Sequence, residues 1–426
     1  MKYRAIKGVK DILPGETEKW YFIERHVRDI FETFGFSEIK IPIIEKTPLF
    51  VRGIGETTDI VEKEMYSFED KGGDSITLRP EGTASVVRAY IEHGLYNSHP
   101  LTKLWYIGPM FRHERPQAGR YRQFYQIGAE VFGEESPSID ADIIVMLMEL
   151  FKRLGLNETE LQLNSLGCER CRPLFRERLL DFIKNRLPML CEDCNRRFES
   201  NPLRVLDCKS KNCSEVIRDS PSMDGSRCEG CQRHLDGVIE YLLITGIKYR
   251  LNPRLARGLD YYTRTTFEVT DKRLGAQDAI AGGGRYDSLV EDLGGPQIPA
   301  IGFAIGMERL ASLIDMGDNL IPPSSPKVYI AAMGEEANRK AFDLLYQIRL
   351  RGISGEMNYS DQRFVPNKSL KSQLRKGDQY GVSYTLIIGD NEIKSGKVIL
   401  RDMKRAEQEE IDIQDIVEVL VKRIGR

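Results

Sequence analysis

No stretch of the 426-residue chain approaches the roughly 20 consecutive apolar residues that a membrane-spanning helix needs. The opening residues, Met1-Lys2-Tyr3-Arg4-Ala5-Ile6-Lys7-Gly8, also lack the apolar segment of a secretory signal. A cytoplasmic protein is therefore expected, with no membrane partner. Charge of one sign is missing too: 62 Lys and Arg stand against 64 Asp and Glu, a net charge of −2. No global basic field advertises a nucleic-acid partner, so any polyanion must be met by local patches. The chain has no internal repeat and no low-complexity tract.

What is present is the composition of a soluble globular protein, 41% hydrophobic and 30% charged, long enough for two to four domains. Trp20, Ile23, Val27, Ile30, Phe31 and Phe34 share one helical face, and Gly35 stands where a helix commonly stops, so a helix is predicted over residues 17–34. Phe36 to Ile44 alternates apolar and polar residues and reads as an edge strand beside Pro42. Leu101 to Gly108 and Gln123 to Phe132 read as two strands of a long hairpin around a polar loop, and Ile139 to Leu154 as a helix closed by Gly155. Strand signal fades from Gly167 to about Ser226, then resumes with Tyr261 to Thr270 and with Ala300 to Leu313, a strand passing into a helix. Ile321-Pro322-Pro323-Ser324-Ser325-Pro326 has a linker's composition. Beyond it, strand and helix alternate as in a small α/β domain.

Two motifs carry chemistry. Phe111-Arg112-His113-Glu114-Arg115-Pro116-Gln117-Ala118-Gly119-Arg120-Tyr121-Arg122-Gln123-Phe124 places four arginines on or beside a hairpin loop. Such a loop is either a solvated surface whose charges pair with each other or a clamp for phosphate or carboxylate, which suits the bidentate guanidinium fork. Ala300-Ile301-Gly302-Phe303-Ala304-Ile305-Gly306-Met307-Glu308-Arg309-Leu310 sets Gly306 at a strand-to-helix turn, with Arg309 in the first helical turn beside the amide dipoles.

Together these resemble motifs 2 and 3 of class II aminoacyl-tRNA synthetases. Arg257-Gly258-Leu259-Asp260-Tyr261-Tyr262-Thr263-Arg264-Thr265-Thr266-Phe267-Glu268 and Ala281-Gly282-Gly283-Gly284-Arg285-Tyr286-Asp287 resemble the two signatures of the histidyl-tRNA synthetase family. Leu78-Arg79-Pro80-Glu81-Gly82-Thr83 and Gly8-Val9-Lys10-Asp11-Ile12-Leu13-Pro14 fit the same pattern. The resemblance spans nearly the whole chain, and several motifs in order are far more specific than any one.

It implies an α+β fold: an antiparallel-sheet catalytic core over residues 1–166 and 251–322, a mainly helical cysteine-rich insertion over 167–250, and an α/β anticodon-binding domain over 327–426. It implies a homodimer, with a weak motif 1 from Phe36 to Pro48 near the interface, and substrates L-histidine, ATP with Mg2+, and histidine tRNA. By the same resemblance Arg112 holds the α-phosphate and the histidine carboxylate, with Arg257 as the catalytic arginine opposite it. Phe124 stacks on adenine, Glu114 faces its edge, and Arg309 covers the other side. Glu81, Gly82 and Thr83 lie at the α-amino group, Gln126 at the carboxylate or α-phosphate, Glu130 and Tyr262 at the imidazole, and Tyr261 lines the pocket. Neutral imidazole has one donor and one acceptor nitrogen, so a selective pocket needs one of each facing it. Such a site rejects apolar amino acids, which leave its polar groups unpaired, by about 10⁴-fold. Arg115, Gln117 and Arg120 are candidate contacts for the tRNA acceptor end; Arg363, Lys368, Lys371 and Arg375 are candidates in the last domain, though charges at helical spacing also form plain solvated faces. The sequence departs from the family at Lys404-Arg405-Ala406-Glu407-Gln408, a turn usually richer in glycine.

The eight cysteines all lie between Cys168 and Cys231: Cys168-x2-Cys171, Cys191-x2-Cys194, Cys208-x4-Cys213 and Cys228-x2-Cys231. Disulfides are not expected in a reducing compartment. Close thiol pairs are the signature of tetrahedral zinc, and eight ligands suit two structural sites; iron–sulfur clusters, a redox switch and ordinary buried thiols are the alternatives. The spacing does not say which pairs share a site. Two rival functions remain at this level. One is the synthetase-like regulatory subunit of ATP phosphoribosyltransferase, expected to lack the last domain and to have eroded signatures; the other is a zinc-dependent RNA-binding protein, which leaves the ATP-directed arginines unexplained. Metal analysis of protein purified under reducing conditions without chelators should find up to two zinc ions per chain; less than about half an ion counts against zinc.

Overall fold

In the computed structural model the described residues are 3–424, apart from 57, 116–118, 209, 256–258, 276–277, 316–325 and 360–368. The chain divides into two units, Met1–Gly317 and Asp318–Arg426. Linker residues 321–325 lie outside the described residues.

The first unit is built on eight strands: β1 (Ser37–Glu38), β2 (Thr102–Phe111), β3 (Gln123–Phe132), β4 (Glu160–Ser165), β5 (Tyr249–Leu251), β6 (Thr263–Thr270), β7 (Ala279–Arg285) and β8 (Ala300–Gly306). Their order across the sheet is β1-β2-β3-β8-β7-β6-β4-β5, antiparallel except where the short edge strands β1 and β5 join in parallel. The expected hairpin is β2–β3, in register from Thr102 opposite Phe132 to Phe111 opposite Gln123. The expected strand from Phe36 to Ile44 is broken. Only Ser37–Glu38 pairs in this sheet, and Ile44–Lys46 joins a separate three-stranded sheet with Tyr66–Glu69 and Ser75–Leu78. The Pro42 segment between them turns its carbonyls to Arg79, whose Nη1 donates to Ile41 O at 2.6 Å and Pro42 O at 3.0 Å while Nε donates to Pro109 O at 2.8 Å. Proline cannot continue a ladder, and a buried guanidinium takes up the carbonyls that pairing leaves over.

Helix α1 (Thr17–Thr33) buries Ile23, Val27, Ile30 and Phe31, the predicted face, and the chain leaves it through Gly35 at φ +81°. Helix α2 (Thr83–Glu92) leads out of the Glu81 segment, and α3 (Pro137–Arg153) starts at Ser136, whose side chain accepts from the Ser138 amide. Ile143, Met146, Leu147 and Leu150 of α3 join the α1 residues and Trp105, Ile127, Phe267 and Phe303 of the sheet in the largest core.

Between β4 and β5 the described elements are helical: α4 (Arg172–Lys184), α5 (Glu192–Ser200), α6 (Lys211–Val216) and α7 (Glu229–Ile244), with short 3-10 turns between them. Phe175, Leu179, Ile183, Val205, Ile217 and Met223 form a separate small core with Cys171, Cys194, Cys213 and Cys231. Helix α7 belongs to both regions, because Leu235, Val238 and Leu242 lie in the large core. His234 on this helix reaches Asp140 of α3 at 2.8 Å. Asp140 also pairs with Arg285, a guanidinium with no solvent exposure that further donates to Asp287 at 3.0 Å and Glu134 O at 2.7 Å. After β8, α8 (Met307–Leu313) starts at Gly306.

In the second unit β9 (Val328–Ala332) is buried throughout, with β10 (Gly355–Met357) and β11 (Tyr384–Ile388) parallel on its two sides. Two antiparallel strands, β12 (Lys397–Asp402) and β13 (Gln408–Asp412), extend the sheet. Helices α9 (Glu335–Leu350), α10 (Leu370–Tyr380) and α11 (Ile416–Ile424) pack in this α/β unit, with a short helix at Asp390–Ser395 between β11 and β12. Ala406 takes φ +59° in the glycine-poor turn between β12 and β13, where its amide donates to Asp402 O and the Asp402 carboxylate accepts from the amides of Lys404 and Arg405.

Removing one partner of a fully buried pair strands the other charge. Asp140→Ala removes the fully buried carboxylate and leaves Arg285 with the partly exposed Asp287 and the Glu134 carbonyl, so it should destabilise the first unit by about 3 kcal/mol in denaturant unfolding. A loss below about 1 kcal/mol would show that Asp287 and the Glu134 carbonyl suffice to hold Arg285.

Candidate active site

A cleft of about 330 Å³ opens over β3, β6, β7 and β8. Of the residues expected from the sequence, Glu81, Thr83, Arg112, Glu114, Arg120, Phe124, Gln126, Tyr261, Tyr262 and Arg309 all line it. They come from segments 228 residues apart in the chain (Glu81 to Arg309), brought together because β3 and β8 are neighbours at the sheet centre. Arg257 and Gln117 lie outside the described residues, as do Arg363 and Lys368; Arg115, Lys371 and Arg375 are exposed.

The first end of the cleft is built on the start of α2. The Glu81 carboxylate accepts from the amides of Thr83 at 2.7 Å and Ala84 at 2.9 Å, taking up donors that the first helical turn leaves free. Burial raises its pKa, against the pull of those amides and of Arg112. Gly82 does not line the cleft. A side chain there would meet the Tyr106 ring at 2.3 Å, and one at Gly128 would meet it at 2.2 Å, so both glycines make room for that ring.

Glu130 lies beneath the cleft wall with no solvent exposure. Its Oε1 accepts from Thr83 Oγ1 at 2.8 Å and Tyr106 OH at 3.4 Å, and its Oε2 from Tyr286 OH at 2.5 Å. On β8 the residue opposite is Gly302, where a Cβ would stand 1.7 Å from Oε2. Burial pushes the Glu130 carboxyl up to about 8; Glu81 adds to this, and the three hydroxyls oppose it. Tyr106 and Tyr286 are the site residues that sequence reasoning missed. Tyr286 stands inside a motif already singled out, whereas Tyr106 sits in an apolar strand with nothing local to mark it.

The other end is cationic. Arg112 donates through Nε to Pro80 O at 2.8 Å, and its guanidinium stands 5.3 Å from the centre of the Phe124 ring. Arg309 donates to Gly119 O at 3.2 Å and Ala279 O at 2.7 Å, tying the arginine-rich loop to β7. Burial and the neighbouring Arg120 lower the Arg309 pKa, so this end favours an anion between its guanidinium groups. Arg120 pairs with Glu114 at 2.9 Å. Gln126 Oε1 is buried with no hydrogen-bond partner, an acceptor left over for a ligand. Glu308 binds the Tyr125 amide at 2.9 Å, joining α8 to β3, and burial pushes its carboxyl up to about 7. The loop is also anchored by the opening segment, since Arg122 N donates to Gly8 O at 2.7 Å. Phosphate-seeking guanidinium groups beside an aromatic ring at one end, and buried carboxyls and hydroxyls at the other, suit a nucleotide and a small polar zwitterion bound side by side.

The family described as histidyl-tRNA synthetase matches residues 8–170 and 214–310, and the anticodon binding domain matches 327–423. The chain is similar to the histidine–tRNA ligase of Geobacter sulfurreducens, 54% identical over 96% of this chain and 97% of the relative. That of Halothermothrix orenii is 50% identical with both chains covered in full. Among solved structures the apo histidyl-tRNA synthetase of S. aureus aligns with a TM-score of 0.79 at 35% identity, over 98% of this chain and 99% of the other.

A carboxyl whose folded pKa is raised stays protonated in the fold while the unfolded chain ionises, so its contribution to stability is full at low pH and is lost as pH rises from about 4.5 to about 8. Glu130→Gln should keep the geometry and remove that slope, losing less stability than the parent between about pH 5 and pH 8 in urea unfolding. Equal slopes would show that Glu130 is ionised throughout.

Proposed function

Because the chain belongs to the histidyl-tRNA synthetase family, we propose that its cleft activates L-histidine with ATP through the residues described above. The reaction joins L-histidine to its tRNA at the expense of ATP, by way of a histidyl-adenylate. A histidine carboxylate oxygen attacks the α-phosphorus, the bond to the β-phosphate breaks, and pyrophosphate leaves. The 3′-terminal adenosine hydroxyl of the tRNA then attacks the histidyl carbonyl and AMP leaves. The first step needs no general base, because the carboxylate is already ionised. Its difficulty is bringing two anions together, and fixed cations meet it by preorganised attraction.

Arg112 then holds the α-phosphate and the histidine carboxylate, with adenine between Phe124 and Arg309 and its edge toward Glu114. What supports this is the convergence of Arg112, Phe124, Arg120 and Arg309 on one cleft with Glu81, Thr83 and Gln126. Arg257 supplies the opposing charge; Leu259, two residues on, lines the cleft. Glu81 and Thr83 take the α-amino group, Tyr261 and Tyr262 line the imidazole, and Glu130 faces it through the Thr83 and Tyr286 hydroxyls. Mg2+ accompanies ATP and offsets phosphate charge; Glu268 and Asp278, which line the cleft and act on Arg309, are the hard oxygen donors that fit it.

The tRNA acceptor end meets Arg115, Gln117 and Arg120, and the last domain adds Arg363, Lys368, Lys371 and Arg375. A second copy docks at the segment from Phe36 to Pro48, where Ile43 and Ile44 are exposed, and the dimer works in the cytoplasm. The catalytic core comprises residues 1–166 and 251–322, the insertion 167–250, and the insertion's cysteines hold structural zinc. Among the described residues no helix is long and apolar enough to cross a membrane. The regulatory-subunit alternative is less supported, since relatives about half identical over the full length are ligases.

The decisive assay is histidine-dependent exchange of pyrophosphate into ATP, and its absence from folded, metal-loaded protein would sink the assignment. Arg257→Ala should lower adenylate formation by about 10²-fold or more with tRNA affinity within about twofold. Equal losses in both would mean that its role is misassigned.

A further inference from the structure

The insertion's eight sulfurs fall into two sets, Cys168, Cys171, Cys228 and Cys231, and Cys191, Cys194, Cys208 and Cys213. Within each set all four Sγ atoms lie within 4.8 Å of one another. The measured edges are 3.7, 3.9 and 3.8 Å in the first set and 3.9 Å in the second. A disulfide requires about 2.05 Å. A tetrahedron of sulfurs about 2.3 Å from a central zinc has edges of about 3.8 Å. Each set also receives a backbone amide: Cys228 N donates to Cys171 Sγ at 3.1 Å, and Cys191 N to Cys213 Sγ at 3.2 Å. Amide donors at sulfur favour the thiolates that a metal binds.

The second set lies wholly inside the loop that the first set closes. All four of its cysteines fall within residues 171–213, the stretch over which the family match breaks off. The first set stands where the insertion joins the catalytic sheet. On one leg Cys168 follows Gly167, which has φ +66° and whose Cβ would meet Cys171 Cβ at 2.5 Å. The Gly167 carbonyl accepts from Arg264 N at 2.9 Å and Thr263 Oγ1 at 3.1 Å, and Leu166 N donates to Arg264 O at 2.7 Å. Arg264 itself takes φ +48°, a conformation an L-residue holds only under constraint. Tyr262 of the cleft is two residues away. On the other leg, α7 begins between Cys228 and Cys231 and carries His234 to Asp140.

We propose that the insertion holds two zinc ions in nested four-thiolate sites, an outer one on Cys168, Cys171, Cys228 and Cys231 and an inner one on Cys191, Cys194, Cys208 and Cys213. The outer ion is a positioning element for the histidine pocket, acting through Gly167, Thr263 and Arg264 on Tyr262. This rests on the reading of the cysteine module as a zinc-binding element, and deepens it by assigning ligands and a role.

Double substitutions separate nested from sequential pairing. Cys168→Ser with Cys228→Ser breaks only the outer site and should leave one zinc per chain, whereas Cys168→Ser with Cys191→Ser breaks both and should leave none. Sequential sites, Cys168 to Cys194 and Cys208 to Cys231, reverse both results, and that reversal would overturn the ligand sets. Less than about half a zinc in the unsubstituted protein would sink the zinc reading itself, a distinct failure. If the variants do not fold, anomalous diffraction at the zinc edge from crystals of the unsubstituted protein decides. Two peaks, one inside each named set, support the proposal, and a peak enclosed by a mixed set overturns it. In pyrophosphate exchange the Cys168→Ser, Cys228→Ser protein should raise the histidine KM at least about threefold with the ATP KM within about twofold. A histidine KM that stays put, or one that rises in step with the ATP KM, overturns the positioning role.

Discussion

A carboxyl group in the middle strand of a sheet, cut off from water, can be held only by donors from every direction, and Glu130 is held that way. Thr83 reaches it from the start of α2, Tyr106 from β2 and Tyr286 from the end of β7. Gly302 on β8 leaves the space its carboxylate occupies. Each partner is fixed in turn: Thr83 by the turn that Glu81 caps, Tyr106 by the room at Gly82 and Gly128, and Tyr286 by Arg285 beside it in the buried network with Asp140. The polar end of the cleft is therefore assembled with the core, and moving any one of these elements leaves a buried hydroxyl or carboxyl without its partner.

The cleft also explains how a chain of nearly balanced charge handles a polyanionic nucleotide. Arg112, Arg120 and Arg309 are crowded together at one end while Glu81 and Glu114 stand close enough to offset them. Their positions are fixed through backbone carbonyls, Pro80 for Arg112 and Gly119 and Ala279 for Arg309. Neutral carbonyls orient Arg112 and Arg309 without neutralising them, whereas Arg120 is held by the Glu114 carboxylate.

Much of this was legible in the sequence. Helix α1, the β2–β3 hairpin and the strand-to-helix passage at Gly306 follow from periodicity and turn chemistry, and the ordered motifs named the cleft residues. The misread segment near Pro42 shows the limit: its alternation is that of a strand, but its carbonyls go to Arg79, some 38 residues on in the chain. Tyr106 is invisible for the same reason, since its role depends on Glu130 across the hairpin and on two distant glycines, Gly82 at the start of α2 and Gly128 within β3, that make room for its ring. The spacing of the cysteines sets them in close pairs, but the grouping of their sulfurs into two sets of four is a three-dimensional fact. The turn at Ala406 goes the other way, because the departure from glycine is plain in the sequence and the structure shows an L-residue held left-handed there.

The order of strands has a consequence for synthesis on the ribosome. Strand β3 has β2 on one side and β8 on the other, and β8 is made only after some 170 further residues have emerged. Through that interval the hairpin presents an open edge, the kind of surface that recruits stray strands. The helices made meanwhile carry a small core of their own and expose no strand for it to pair with among the described residues. Most of the wait is filled by this locally folding part, while β4, made before it, and β5 to β7, made after it, are the strands of the interval that can reach the open edge before β8 covers it.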